Sequence, residues 1–243
     1  MPRFFVPKQE IGSSFLVLTG ENAAHAKVLR LKNGDDVTIC DGEGTDYICT
    51  VSDVANGQIS LVVHSADPSQ SEPKVACSVY MAFAKADKFE HVIQKATELG
   101  AAELVCFPSA RCVSRPDEKS LVKKRERWQK IAASAAEQSR RGRIPQVIAL
   151  PSYSSALARA AEADLAVCFY ENEEQLTFRA AIEAAPFQTA SLLTGPEGGF
   201  EPEEIRQALS AGLKICTLGS RILRCETAPL CALSALMYAA GEF

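Results

Sequence analysis

The rhythm of apolar and polar positions changes near residue 66. Before it, short β-rich runs dominate: VTIC (37–40), YICTV (47–51) and ISLVV (59–63). DGEGTD and ANG break these runs, and their Gly, Asp and Asn suit tight turns. ENAAHAKVLRLKNGDD (21–36) predicts a short helix and a turn. Many short strands with Gly-rich turns predict a small barrel-like module. The polar, Pro-containing stretch ADPSQSEPK (66–74) is the linker candidate. It divides the chain into domains 1–72 and 73–243.

Beyond the linker, strand patterns alternate with helical ones. KVACSVYMAF, ELVCFPS, QVIAL, ADLAVCFY, ASLLT and KICTL read as strands. In DKFEHVIQKATELG, Phe89, Val92, Ile93, Ala96 and Leu99 follow the 3.6-residue period, and Gly100 suits a C-cap. Further helices are predicted over 119–140, 152–163, 202–212 and 231–240. Pro202 and a crowd of acids mark the start of the third of these. Repeated strand–loop–helix units imply an α/β domain, a mainly parallel sheet with helices on both faces.

Composition refines this picture. The 243 residues are 47% hydrophobic and 23% charged, ordinary globular values. No apolar run approaches ~18 residues, so no membrane span is expected, and MPRFFVPKQE lacks the apolar core of a signal peptide. Nine cysteines are scattered without a CxxC pair or a zinc-spaced cluster. They read as reduced thiols of a cytoplasmic protein, each filling a small core space. The net charge of −4 argues against nucleic acid, but the charge is uneven. Residues 1–72 hold five Lys/Arg against ten Asp/Glu; residues 85–145 hold fourteen against eight. That basic middle fits a polyanion footprint and a solvated helix face equally well.

Two loops carry most of the candidate chemistry. TGPEGGF (194–200) follows one strand and precedes one helix. Its glycines admit a ligand to the main chain. It matches neither GxxxxGK[ST] nor GxGxxG, so it suits an adenine or amino-acid moiety better than a phosphate. LGSRILRCETAPL (218–230) is the second strand-to-helix loop. Ligands bind beyond the carboxyl ends of parallel strands. If the two strands are neighbours, both loops flank one crevice. Arg221 and Arg224 there either hold an anionic substrate or, for Arg224, form a structural pair with Glu226. Thr227 either faces the crevice or caps the last helix.

Other polar positions are less specific. Lys95, Thr97 and Glu98 occupy one helical turn, a surface face or a substrate-facing one. Trp128 lies beside Lys124, Arg125 and Arg127, ahead of Arg140, Arg141 and Arg143. The basic side chains can neutralise phosphates and the indole can stack a base, although a tryptophan on such a helix is more often core. His25, Lys27, Arg30 and Lys32 offer a docking surface in the first module.

In order along almost the whole chain, MPRFF, HAKVLRLKNGD, DGEGTDY, KADKFEHVIQKATELGA, ERWQKIAASAAEQS, TGPEGGF and LGSRILRCETAPLCAL resemble the RsmE family of SPOUT-class RNA methyltransferases. The departures are Ala86, where a glycine is common, and Ser220 within the second loop. The resemblance implies a PUA-like RNA-binding β-barrel followed by a methyltransferase domain with a deep trefoil knot. It implies a homodimer that uses S-adenosylmethionine to methylate N3 of a uridine in 16S rRNA of the assembled small ribosomal subunit. It places the cofactor on Leu193, Thr194, Gly195, Glu197, Gly198 and Gly199 of the first loop. In the second loop it adds Leu218, Gly219, Ile222, Leu223 and Thr227. RNA contacts are expected at Arg3, His25, Arg30, Lys85 and Lys88, and at Lys95, Arg111, Arg140 and Arg141.

Uridine N3 would displace the sulfonium methyl in line, with no metal. The N3 proton must leave, so a base or a cation beside the N3/O4 anion helps. Reaching N3 also needs an unpaired or flipped base. The expectation is that Arg224 stabilises the anionic base or the adjacent phosphate and Glu226 orients it or takes the proton, with Glu197 the competing base. The alternatives are the same chemistry on another RNA and a non-catalytic RNA-binding protein. A nicotinamide-type oxidoreductase is disfavoured by the missing GxGxxG and its acidic partner.

Overall fold

Five strands build the first part of the chain: β1 (Arg3–Phe5), β2 (Phe15–Leu18), β3 (Asp36–Cys40), β4 (Thr45–Ala55) and β5 (Gln58–Pro68). The structure is a computed structural model that describes residues 1–85 and 87–243. The strand order is β1-β3-β4-β5-β2. Only the β1–β3 pair is parallel. Alternate residues of the curled sheet, among them Phe4, Leu16, Val37, Ile39, Cys49, Val51, Ile59 and Leu61, meet in one apolar core with Ala26 of α1 (Gly20–Val28). Asn56 and Gly57 join β4 to β5 with φ of 53° and 75°, the left-handed pair that a tight two-residue hairpin requires. Two register shifts, at Ile48/Cys49 and Val51/Asp53, let this long hairpin bend. The hairpin runs on to a Thr45–Pro68 pair, so the polar break starts after Pro68 and not at 66.

The chain divides into two compact units. The first is Met1–Glu72 together with Ala136–Ile144; the second is Pro73–Ala135 together with Pro145–Phe243. Glu72 holds the 136–144 segment within the first unit. Its carboxylate accepts from Arg141 Nη2 at 2.7 Å and from the backbone N–H groups of Gly142 and Arg143 at 2.9 and 3.1 Å. A Cβ on Gly142 would lie 2.3 Å from Cβ of Ser69, so only glycine fits there.

The second unit is a six-stranded sheet whose pairs are all parallel. Its strands are β6 (Ala76–Ala82), β7 (Glu103–Phe107), β8 (Gln146–Ala149), β9 (Leu165–Phe169), β10 (Thr189–Thr194) and β11 (Lys214–Cys216). Their order is β11-β9-β10-β6-β7-β8. From β6 the sheet grows one way to β8, and then the chain returns to build β9, β10 and β11 on the other side. That reversal makes a topological switch point beside β6.

Helices α2 (Lys88–Glu98), α3 (Glu118–Gln138), α4 (Tyr153–Ala160), α5 (Phe178–Glu183) and α6 (Pro202–Ser210) connect these strands, and α7 (Ala228–Ala239) follows the last of them. α7 packs on β6, β10, α2 and α5. α4 contacts β10 from the other face and is joined to α6 by Tyr153 Oη donating to the Glu204 carbonyl at 2.9 Å. The apolar face of α2 is buried as its periodicity predicts, and Gly100 beyond it has φ of 97°. Trp128 is core: it stands edge-on to Phe89, ring centres 5.0 Å apart. Eight cysteines are buried, but Cys231 is exposed on α7, so core filling does not describe it. α5 lies in a stretch that shows no periodic signal. Ala86 lies outside the described residues. Among the described residues, no helix is long and apolar enough to cross a membrane.

Candidate functional site

Three loops at the carboxyl edge of the parallel sheet surround one cavity of about 980 Å³, within the range of small-molecule sites. TGPEGGF after β10 and LGSRIL after β11 supply two walls. Their strands are not neighbours, because β9 runs between them. The loop after β9, with Tyr170, Glu171, Glu173 and Glu174, therefore lies between the two glycine loops and lines the same cavity. These residues, with Phe169 and Thr217, were missed in the sequence. The signal was present: YENEE directly follows a parallel strand, where ligands bind.

Glycine sets the inner contour. Gly199 has φ of 67°, and a Cβ there would fall 2.2 Å from Glu171 Oε1. Gly195 sits with its would-be Cβ 3.2 Å from the Gly199 backbone. Gly219 has φ of 101°, and its N–H donates to Thr217 Oγ1 at 3.1 Å. The turn is thus folded back on β11. Thr194 closes the floor, its hydroxyl donating to the Tyr80 carbonyl at 3.0 Å.

Most of the predicted cofactor positions line the cavity: Thr194, Gly195, Glu197, Gly198, Gly199, Leu218, Gly219, Ile222 and Leu223. Leu193 does not, because its side chain is fully buried in the sheet. Thr227 does not either. It occupies the N-cap of α7 in a helical conformation, and its side chain makes no capping bond. Of its two alternatives, capping by the Thr227 side chain is not what the helix start uses.

The charged groups are arranged differently from the sequence expectation. Glu226 pairs with Lys88, Nζ to Oε2 at 3.2 Å, and not with Arg224. The same ammonium lies 3.3 Å from Glu197 Oε1. Glu197 also accepts the Lys85 backbone N–H at 2.9 Å. Burial opposes ionisation of Glu197, but the Lys85 N–H and the Lys88 ammonium outweigh it and hold the carboxyl below its usual range. Burial likewise opposes ionisation of Glu226, and the Cys225 thiol and Lys88 reverse it. Both groups are thus ionised and weakly basic. Cys225 lines the cavity, where burial and Glu226 push its thiol up to about 12. Arg224 lines the mouth with an exposed side chain, and among the described residues it has no ion pair. Its carbonyl accepts from the N–H groups of Thr227 and Ala228.

The predicted RNA contacts scatter. Arg3 is partly buried in a two-bonded pair with Asp46, at 2.6 and 2.7 Å, and Arg141 is buried against Glu72. Both are paired within the first unit, so a phosphate would compete with a carboxylate for each of them. His25 Nδ1 lies 3.0 Å from Glu137 Oε1, and its ring meets Phe4 edge-on. Arg30 and Arg140 are exposed, with φ of 58° and 62°. In the second unit, Lys85 is exposed, Lys95 pairs with Glu98 at 2.8 Å, and Arg111 holds Glu201 and the Gly198 carbonyl at 2.7 and 2.8 Å. Lys88 lines the cavity, its ammonium between Glu197 and Glu226.

Residues 71–237 match the family described as "RNA methyltransferase domain", and residues 18–63 the one described as "RNA methyltransferase PUA domain". The chain is 37% identical to "Ribosomal RNA small subunit methyltransferase E" of Bacillus subtilis, across 98% of this chain and 96% of that one. It is 33% identical to the protein of the same name from Mesomycoplasma hyopneumoniae, across 95% and 96%. Among solved structures, the Neisseria gonorrhoeae ribosomal RNA small subunit methyltransferase E bound to S-adenosyl methionine superposes with a TM-score of 0.85 at 29% identity, covering 98% and 97%. A Legionella pneumophila protein in complex with the bound cofactor SAM gives 0.84 at 28% identity, covering 98% and 97%. With this fold, this cavity and full-length relatives, the chain belongs to the RsmE family of RNA methyltransferases.

Proposed function

We propose that this protein methylates N3 of a uridine in 16S rRNA, with S-adenosylmethionine as the methyl donor. In this reading it works as a homodimer on the assembled small ribosomal subunit, in the cytoplasm, and its chain carries the family's knot. The observation that carries the proposal is the cavity itself, three strand-end loops closing around one space at the switch point of a parallel sheet.

The residues present fit such a cofactor. Main chain freed by Gly195, Gly198, Gly199 and Gly219 admits a flat nucleoside, and the carboxylates of Glu171, Glu173 and Glu174 suit a cationic ligand. When bound, the cofactor supplies a methyl group already activated by its sulfonium. The chain's own residues must then position the base and accommodate the charge left on it. Arg224, exposed at the mouth and unpaired among the described residues, is the cation for the N3/O4 anion. Glu197 and Glu226 are the proton acceptors within reach of the cavity wall, and their tie to Lys88 makes them weak ones.

Mass mapping of methylated uridines in small-subunit rRNA, from cells with and without this protein, tests the reading. One N3-methyluridine is expected to disappear with the protein. Its persistence overturns the assignment of the target. Binding of labelled S-adenosylmethionine to the purified protein separates an enzyme from a non-catalytic RNA-binding protein.

A further inference from the structure

Three separate pieces of chain converge on one ammonium. Lys88 opens α2, just after the strand at the switch point. Glu197 lies in the middle of the first glycine loop and Glu226 at the end of the second. Lys88 Nζ is 3.3 Å from Glu197 Oε1, 3.2 Å from Glu226 Oε2 and 3.6 Å from Cys225 Sγ. The two loops follow strands that do not touch each other. Among the described residues no backbone ladder links them directly, and the Lys88 ammonium bridges them.

The alternative role for Lys88 is a phosphate contact. The geometry disfavours it. Two carboxylates within 3.3 Å leave the trio with a net negative charge, so an incoming phosphate meets repulsion on both sides. Removal of the ammonium also leaves the two carboxylates facing each other across the same wall. Like charges in a partly enclosed site repel, and one of them then tends to take up a proton.

We propose that Lys88 is a positioning residue for the cavity: its ammonium fastens the loop carrying Glu197 to the loop carrying Glu226 and sets the width of the cleft between them. The Lys85 N–H to Glu197 bond extends the clasp, because the same carboxylate is gripped from two points of the segment that leads into α2. The net negative charge left on the wall suits a cationic ligand better than a neutral one. This inference deepens the methyl-transfer reading and rests on it for the identity of the ligand.

Two readouts keep the inference and that reading apart. The first is amide hydrogen exchange of the ligand-free protein. In Lys88→Met, residues 195–200 and 219–226 are expected to exchange at least about tenfold faster, with the sheet unchanged, and Lys88→Arg is expected to restore much of the protection. Unchanged exchange in Lys88→Met overturns the proposal. If Lys88→Met does not fold, Glu197→Gln/Glu226→Gln removes the clasp while keeping the lysine, and the same outcomes apply.

The second readout is calorimetric titration with S-adenosylmethionine. Lys88→Met is expected to bind at least about tenfold more weakly, and Lys88→Met/Glu226→Gln more tightly than the single variant, because one of the opposed charges is gone. Wild-type affinity in Lys88→Met, with only RNA binding lost, returns Lys88 to the RNA face. A wild-type protein that binds no S-adenosylmethionine overturns the methyl-transfer reading, while the exchange result still decides the clasp.

Discussion

Arg224 and Glu226 are two residues apart, yet their side chains serve different partners. Glu226 turns to the Lys88 ammonium and the Cys225 thiol, whereas Arg224 extends into solvent at the cavity mouth. Adjacent charges in a sequence invite the assumption of a pair. Here a lysine 138 positions upstream of Glu226 wins, because the fold brings its nitrogen within 3.2 Å. An unpaired guanidinium keeps all its donors for substrate. Arg224→Ala is therefore expected to lower the single-turnover methylation rate by about 100-fold, while S-adenosylmethionine affinity stays within about threefold. Parallel single-turnover and calorimetric measurements check this. An affinity loss as large as the rate loss contradicts the role given to Arg224.

At the scale of elements, the first glycine loop is held at its far end by α6. Glu204 Oε2 accepts the Glu201 N–H at 2.9 Å, completing a capping box, and Oε1 reaches the Ala110 N–H at 2.8 Å in the loop after β7. The next residue in that loop, Arg111, grips Glu201 and the Gly198 carbonyl. The cavity wall is thus buttressed by a neighbouring loop and by the start of its own helix. Glu204→Ala removes a cap and takes from the Ala110 N–H the buried carboxylate that accepts it. The expected loss is about 2 kcal/mol, or a fall of about 4–8 °C in the midpoint of thermal unfolding. A change below about 1 °C contradicts this account of α6.

At the scale of the whole molecule, the first unit draws on two distant parts of the chain. Glu72 binds Arg141, Gly142 and Arg143, and Arg3 adds a bond to the Arg141 carbonyl at 3.1 Å. Glu72→Ala takes its carboxylate away from a buried guanidinium and from two backbone N–H groups. Breaking a buried pair from one side costs about 3–5 kcal/mol. Limited proteolysis is expected to cut this variant near 69–72 and 139–144 under conditions that leave the wild type whole. Equal resistance of the two proteins contradicts the anchoring role.

Much of this organisation is legible in the residues. Strands alternating with helices in the second unit, the buried face of α2, the Asn56–Gly57 turn and the start of α6 all follow from periods and caps spanning a few residues. Both glycine loops are legible for the same reason: a backbone approach needs glycine at the loop itself. What tertiary structure alone decided are pairings between distant residues. The insertion of β9 between β10 and β11, the return of 136–144 to the first unit, the pairing of Arg3 with Asp46 and of Arg141 with Glu72, and the clasp of Lys88 on Glu197 and Glu226 are of this kind. Local propensity and hydrophobic pattern choose an element and its inward face. Which elements become neighbours depends on how those faces pack together, and a charge finds its partner only after that packing is complete.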